Sequence, residues 1–144
     1  MTKMNNISLK LEKSPFNSVK ITKSEDAVNV IRQFYQDDIS LYESFFMLLL
    51  GRNNKTTGFV KISQGGTAGT VVDTKIVAKY AIDSLCSGVI IAHNHPSGNT
   101  EASQADRKIT QKIKDGLKLF DIDLLDHVIL TDLEHYSFAD NGEI

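Results

Sequence analysis

Two hydrophobic periods alternate along the chain, and the points where they switch mark its elements. Ser24-Glu25-Asp26 reads as an N-cap followed by first-turn acids. Behind it, Ala27, Val30, Ile31 and Phe34 recur at helical spacing, which predicts a helix of about three turns closing at Asp37-Asp38. Residues 43–50 then form a nearly unbroken apolar run that stops at Gly51-Arg52-Asn53-Asn54. Its length and turn-like end suit a strand buried on both faces. Thr57 to Ser63 reads as the hairpin partner, broken by Gly65-Gly66. Ile76, Val77, Tyr80 and Ala81 make a helical stripe within 74–85, and Gly88 to Ala92 is a short apolar strand. Ser103 opens another helix with Ile109, Ile113, Leu117 and Phe120 on one side. Ile122 to Leu130 is a strand, and His135 to Ala139 its short antiparallel partner.

The order α-ββ-α-β-α-β-β predicts an α/β domain in which helices cover a mixed sheet. Residues 1–20 lack periodicity and hold Pro15, so an N-terminal arm is expected over 1–23 and the domain over 24–144. A chain of 144 residues fits one domain and buries about two-thirds of its unfolded surface, enough for a core without disulfides. The single cysteine, Cys86, closes off intramolecular disulfides and cysteine zinc clusters and suits a reducing cytoplasm. It also excludes zinc deaminase chemistry, which needs a Pro-Cys-x-x-Cys half-site. No signal peptide is evident and the longest apolar run is too short to span a bilayer, so no membrane role is expected. Net charge is −2, against whole-molecule attraction to nucleic acid. The charge is uneven, however: residues 1–23 carry net +4 and residues 121–144 carry −7. Solvated surface is the plain reading, and a basic arm touching a partner is the other.

The informative stretch runs from Ala92 to Asp106. His93 and His95 sit two apart at the end of a buried strand, where extended backbone points both imidazoles the same way. Pro96 disfavours helix at His95 and keeps it extended. With Ser103 as N-cap, Asp106 occupies the third helical position and faces back toward the histidine loop. Two ring nitrogens and one carboxylate suit a catalytic zinc site with a fourth position open to water. Zinc lowers the pKa of that water toward roughly 7. Ser103 to Asp106 is also a plain capping pattern. The string His-Asn-His is not read as a nuclease motif, because such nucleases use a dispersed ligand set.

A hydrolytic site also needs a general base, and Glu43 is the best candidate: a charge at the start of a buried strand is unusual unless it borders a cavity. Glu101 is nearer in sequence but is expected to point outward. Ser103 could bond the water or a developing oxyanion. Asp126-His127 fits either a pair that orients a ligand histidine or a satisfied core pair. His135 is expected at the surface, and Cys86 as a small helix-end residue.

His93-x-His95-Pro96, with Ser103 and Asp106 at their spacing and Glu43 upstream, resembles the JAMM (MPN+) metalloprotease motif. More closely, Ile91 to Gly98, Ser103 to Arg107, Leu125 to His127 and Ser137 to Ala139 resemble the RadC family of bacterial proteins. The similarity runs from about Ser40 to Gly142. The resemblance implies a cytidine-deaminase-like JAB/MPN fold. It also implies zinc held by His93, His95 and Asp106, Glu43 as base, and Ser103 supporting the water or tetrahedral intermediate. Longer relatives carry a helix-hairpin-helix part, for which residues 1–40 are too short, so a short form is expected. Relatives tend to carry Pro-Arg-Glu where this chain has Thr74-Lys75-Ile76.

These readings favour a zinc metallopeptidase acting on peptide or isopeptide bonds of a peptide or protein substrate. One alternative is a DNA-associated accessory protein of repair or replication with a structural or vestigial metal site, suggested by the family's DNA-repair label and the basic arm. Another is a metal-bearing interaction domain that grips an extended peptide without cutting it.

Overall fold

The computed structural model describes residues 1–66 and 70–144. The elements follow the predicted order: α1 (Ser24–Arg32), β1 (Ser44–Leu50), β2 (Thr56–Gln64), α2 (Thr74–Asp83), β3 (Gly88–Asn94), α3 (Gln104–Lys118), β4 (Asp123–Leu130) and β5 (His135–Ser137). One five-stranded sheet runs in the order β2-β1-β3-β4-β5. It is mixed: β1 lies antiparallel to β2 and β3, β3 and β4 are parallel with α3 crossing between them, and β5 is antiparallel to β4.

Helices cover both faces, so the central strands are buried on both sides and their apolar runs are unbroken. Phe46, Leu48 and Leu50 join Ile90, Ala92, Val128 and Leu130 under Ala27, Val30 and Ile31 of α1. The alternate residues Phe45, Met47, Leu49, Val89 and Ile91 pack against Val77 and Ala81 of α2 and Ile113 and Leu117 of α3. The sheet therefore has an α1 face and an α2–α3 face, and each side chain's face is set by its parity along the strand.

Three local expectations shift. The first helix is capped at Lys23, one residue before Ser24. There the Asp26 carboxylate accepts from the backbone N–H groups of Thr22 (2.9 Å) and Lys23 (3.2 Å), while the Ser24 hydroxyl turns to Asp140. That helix ends at Arg32, short of Asp37-Asp38. Phe34 leaves the helix to stack on Phe59 at 4.1 Å, and the Tyr35 hydroxyl donates to the Ser44 carbonyl at 3.1 Å. On α2 only Val77 and Ala81 are buried, whereas Ile76 and Tyr80 stay more than a third exposed; one i, i+4 line is all that the sheet and α3 cover. Phe120, past the end of α3, is likewise exposed.

Residues 1–15 are exposed. Phe16 packs on Phe34 and Phe59, and the chain then pairs with the start of β2, Val19 O accepting from Thr56 N and Ile21 N donating to Asn54 O, both at 2.9 Å. No helix among the described residues is long and apolar enough to cross a membrane.

Leu48 lies in the centre of the α1 face and is 2% exposed. Leu48→Ala is expected to cost about 2–5 kcal/mol through lost transfer energy and a residual cavity. Denaturant unfolding should show the midpoint falling with an unchanged slope.

Candidate metal centre

The centre forms where three chain segments end together. Antiparallel pairing places His93 opposite Phe45, so the C-terminal end of β3 meets the N-terminal end of β1, where Glu43 sits. The loop after β3 leads through Ser103 into α3, and its first turn returns Asp106 to the strand end. Carboxyl ends of parallel strands are where open α/β sheets bind ligands. The sequence of this loop explains its course. Pro96 keeps His95 extended, Gly98 takes a positive φ of 87° in the turn closed by its N–H to His95 O at 3.1 Å, and Ser103 and Asp106 complete a reciprocal cap. Ser103 Oγ accepts from Asp106 N at 3.0 Å, and Asp106 Oδ2 accepts from Ser103 N at 2.8 Å.

The two imidazoles converge as alternation requires. Their Nε2 atoms lie 3.0 Å apart. Asp106 Oδ1 is 3.3 Å from His93 Nε2, and Oδ2 is 3.7 Å from His95 Nε2. Glu43 Oε1 stands 3.9 Å from His95 Nε2, and its Oε2 accepts from Thr70 N at 3.0 Å. One ligand atom from each of Glu43, His93 and His95 falls within a 4.8 Å cluster, so these three could hold a metal ion, with Asp106 against both histidines. Ser103 is exposed at the cap, and Glu101 is exposed in the loop.

Protonation tests whether this group suits a cation. His95 Nδ1 lies 2.6 Å from the carbonyl oxygen of Asn99, which can only accept, so that nitrogen carries the proton. In the neutral ring, Nε2 is then a lone pair. It points at His93 Nε2 and at two carboxylates, and where His93 carries its proton on Nδ1 this group holds acceptors alone. A cation would resolve such a cluster, and nitrogens with carboxylate oxygens are a donor set that divalent transition metals take. A proton answers the same need. The Asp106 carboxylate, by hydrogen bonding, raises the His95 pKa above its ordinary value, although burial opposes this. Burial acts to raise the Asp106 pKa, but the His93 and His95 imidazoles beside it outweigh this and hold the carboxyl well below the usual range.

The Asp126-His127 pair separates into two roles. His127 is fully buried and its Nε2 lies 2.8 Å from His93 Nδ1. Burial pushes its pKa well below the usual imidazole value and so favours the neutral ring. Asp126 points elsewhere: it accepts from His127 N (2.7 Å), Ala139 N (2.9 Å) and Ser137 Oγ (2.6 Å), pinning β5 to β4. Burial raises its pKa despite those bonds. His135 is exposed, and Cys86 is buried with its thiol toward Ala81 O.

Sequence reasoning missed Asn94, which lies between the two histidines and is therefore on the opposite face. Its side chain is fully buried, accepts from Ser44 N at 2.8 Å and donates to Ile39 O (2.7 Å) and Tyr42 O (2.9 Å). It thus grips the backbone on both sides of Glu43. The signal was present: strand parity puts it away from the histidines, and a buried amide demands partners. Thr110, one turn after Asp106 on α3, was also missed; its hydroxyl bonds Asp106 O and His127 Nδ1, each at 2.6 Å.

A mixed sheet between helix layers, with histidines at the end of a central strand and a carboxylate at a helix start, defines a JAB-type α/β domain. The RadC-like JAB domain model matches residues 21–143, and the chain belongs to that family. It is 41% identical over 123 residues to a UPF0758 protein of Flavobacterium johnsoniae, covering 85% of this chain and 53% of the relative. It is also 41% identical over 103 residues to UPF0758 proteins of Shewanella baltica and Shewanella frigidimarina, covering 72% of this chain and 46% of each relative. The chain thus spans about half the length of the curated relatives it matches.

Asn94→Ala removes the partners of one N–H and two carbonyls. The expected loss is about 1–3 kcal/mol for each group that stays buried and unpaired. Unfolding should show a lower denaturant midpoint, and amide exchange at Ser44 should speed up more than in α2, which lies on the other face of the sheet.

Proposed function

We propose that this domain is a zinc-dependent hydrolase of the JAMM type that cleaves peptide or isopeptide bonds. The observation that carries the reading is the cluster of two Nε2 atoms and neighbouring carboxylates, with both Nδ1 atoms engaged elsewhere, that of His95 on Asn99 O and that of His93 on His127. His93, His95 and Asp106 hold the ion in this reading. Asp106 approaches both histidines more closely than Glu43 approaches His95, which favours the aspartate as ligand and leaves the glutamate for proton transfer. The bound ion supplies Lewis-acid charge and acidifies a coordinated water.

This chain's own residues then handle the protons. Glu43 is steadied through Oε2 by Thr70 N, which frees Oε1 to take a proton from the attacking water. As the carbonyl carbon–nitrogen bond breaks, Glu43 returns that proton to the leaving amine; the water's second proton follows it, so the amine departs as an ammonium and the acyl part as a carboxylate. Ser103 accepts a bond from Asp106 N through its oxygen, so its hydroxyl hydrogen remains available to an oxyanion.

A second reading, association with nucleic acid, has one observation in its favour: Lys3, Lys10, Lys13, Lys20 and Lys23 of the arm are all exposed. Binding of this kind should weaken steeply with salt. No detectable binding of single- or double-stranded DNA at about 50 mM salt removes this reading.

Two measurements test the hydrolase. Elemental analysis should find about one zinc per chain in wild type and Glu43→Gln, and little in His95→Ala or Asp106→Ala. Hydrolysis of a peptide library should fall by about 10²–10⁴ in Glu43→Gln. Activity that survives both Glu43→Gln and His95→Ala undiminished does not come from this centre.

A further inference from the structure

The hydrogen bonds behind His93 have only one self-consistent direction. Thr110 Oγ1 lies 2.6 Å from the Asp106 carbonyl oxygen, which has no proton to give, so the hydroxyl hydrogen points there. The same oxygen is 2.6 Å from His127 Nδ1 and, its hydrogen already used, can only accept. His127 Nδ1 therefore carries a proton. In a neutral ring its Nε2 is then a lone pair, and that atom is 2.8 Å from His93 Nδ1. His93 must donate, which leaves its own Nε2 as the lone pair facing His95 and Asp106. The orientation derives from the Thr110 end of the chain of bonds and presupposes no ion.

We propose that His127 is a positioning residue of the metal centre, which fixes His93 in the Nδ1–H form and so keeps its Nε2 free to ligate a divalent transition metal such as zinc. The proposal deepens the metal-centre reading and rests on it. His127 is suited to the task because its ring cannot turn. It stacks on Phe138 at 4.7 Å with planes 18° apart, meets the Phe45 ring edge-on at 5.8 Å, and has its backbone N–H held by Asp126. Thr110 closes a loop: it anchors His127 through its oxygen and the Asp106 carbonyl through its hydrogen. One ligand's tautomer and another ligand's backbone are thereby locked to each other across α3 and β4. Outer partners of ligand histidines act this way by fixing tautomer and ring orientation.

The test is a zinc competition titration against a chelating fluorophore, run on the full chain. His127→Phe keeps a ring for the Phe138 stack and removes the acceptor; it should weaken zinc binding about 10–100-fold. His127→Gln, whose amide oxygen can stand where Nε2 was, should recover most of that loss. Thr110→Val, close to threonine in shape, should lose affinity by a smaller factor. Long-range 1H–15N spectra of the metal-free protein should show His127 protonated at Nδ1, with Thr110→Val releasing it to a mixture of tautomers. Wild-type binding that is unchanged in His127→Phe overturns the proposal and leaves the metal centre standing, as does a wild-type spectrum with His127 protonated at Nε2. No zinc binding by wild type overturns both. If His127→Phe does not fold, the spectra and Thr110→Val decide.

Discussion

The register of β3 against β1 is the constraint on which the site rests. Phe45 faces His93 across the pair, and that one pairing places the glutamate before β1 beside the histidines after β3. A slip of one residue would reverse every side chain on the strand. His93 and His95 would then lie under α1 with Phe46 and Leu48, and Asn94 would take their place. The slip is resisted by both faces at once, because Phe46, Leu48 and Leu50 fill the α1 core while Phe45, Met47 and Leu49 fill the other. Asn94 adds a polar lock, since its amide finds partners only in the native register.

On that frame the centre gathers ring nitrogens and carboxylates around one point, an arrangement that would cost free energy without a donor among them and would favour a cation. The surrounding hydrogen bonds hold the acceptors in place. Asn99 O fixes His95, His127 holds His93, and the Ser103 cap holds Asp106 while leaving Oδ1 toward His93. Asp106 thus serves two purposes with two oxygens. A helix-capping carboxylate is already rigid and already desolvated on one side, so little further ordering is required for it to face an ion.

Much of the fold was legible because its strands and helices are amphipathic or doubly buried in ways a linear pattern records. The run 43–50, the strand at 88–92 and the stripe at Ile113 and Leu117 on α3 needed no tertiary information. The cap at Ser103 was equally local. What misled were places where contacts distant in sequence won: Phe34 left its helix to stack on Phe59, and α2 turned Val77 and Ala81 inward at the expense of Ile76 and Tyr80. For the site, the spacing of His93 and His95 fixed their common direction, and a charge opening a buried strand singled out Glu43, which the JAMM-like pattern also includes. Asn94 and Thr110 went unnoticed although parity and the helical i, i+4 step pointed to them, because neither is a residue type that draws attention as chemistry.

The sequence by itself determined the α/β order, the shared face of the two histidines and the helix start that carries Asp106. These depend on backbone periodicity and on neighbours within a few residues. Only the tertiary structure decided that Glu43 reaches His95, that His127 stands behind His93 while Asp126 serves β5, and that Thr110 links them. Those relations depend on strand order and on the crossing of α3 over the sheet. Strand order follows from how all the apolar faces pack together, and no local stretch of sequence encodes it.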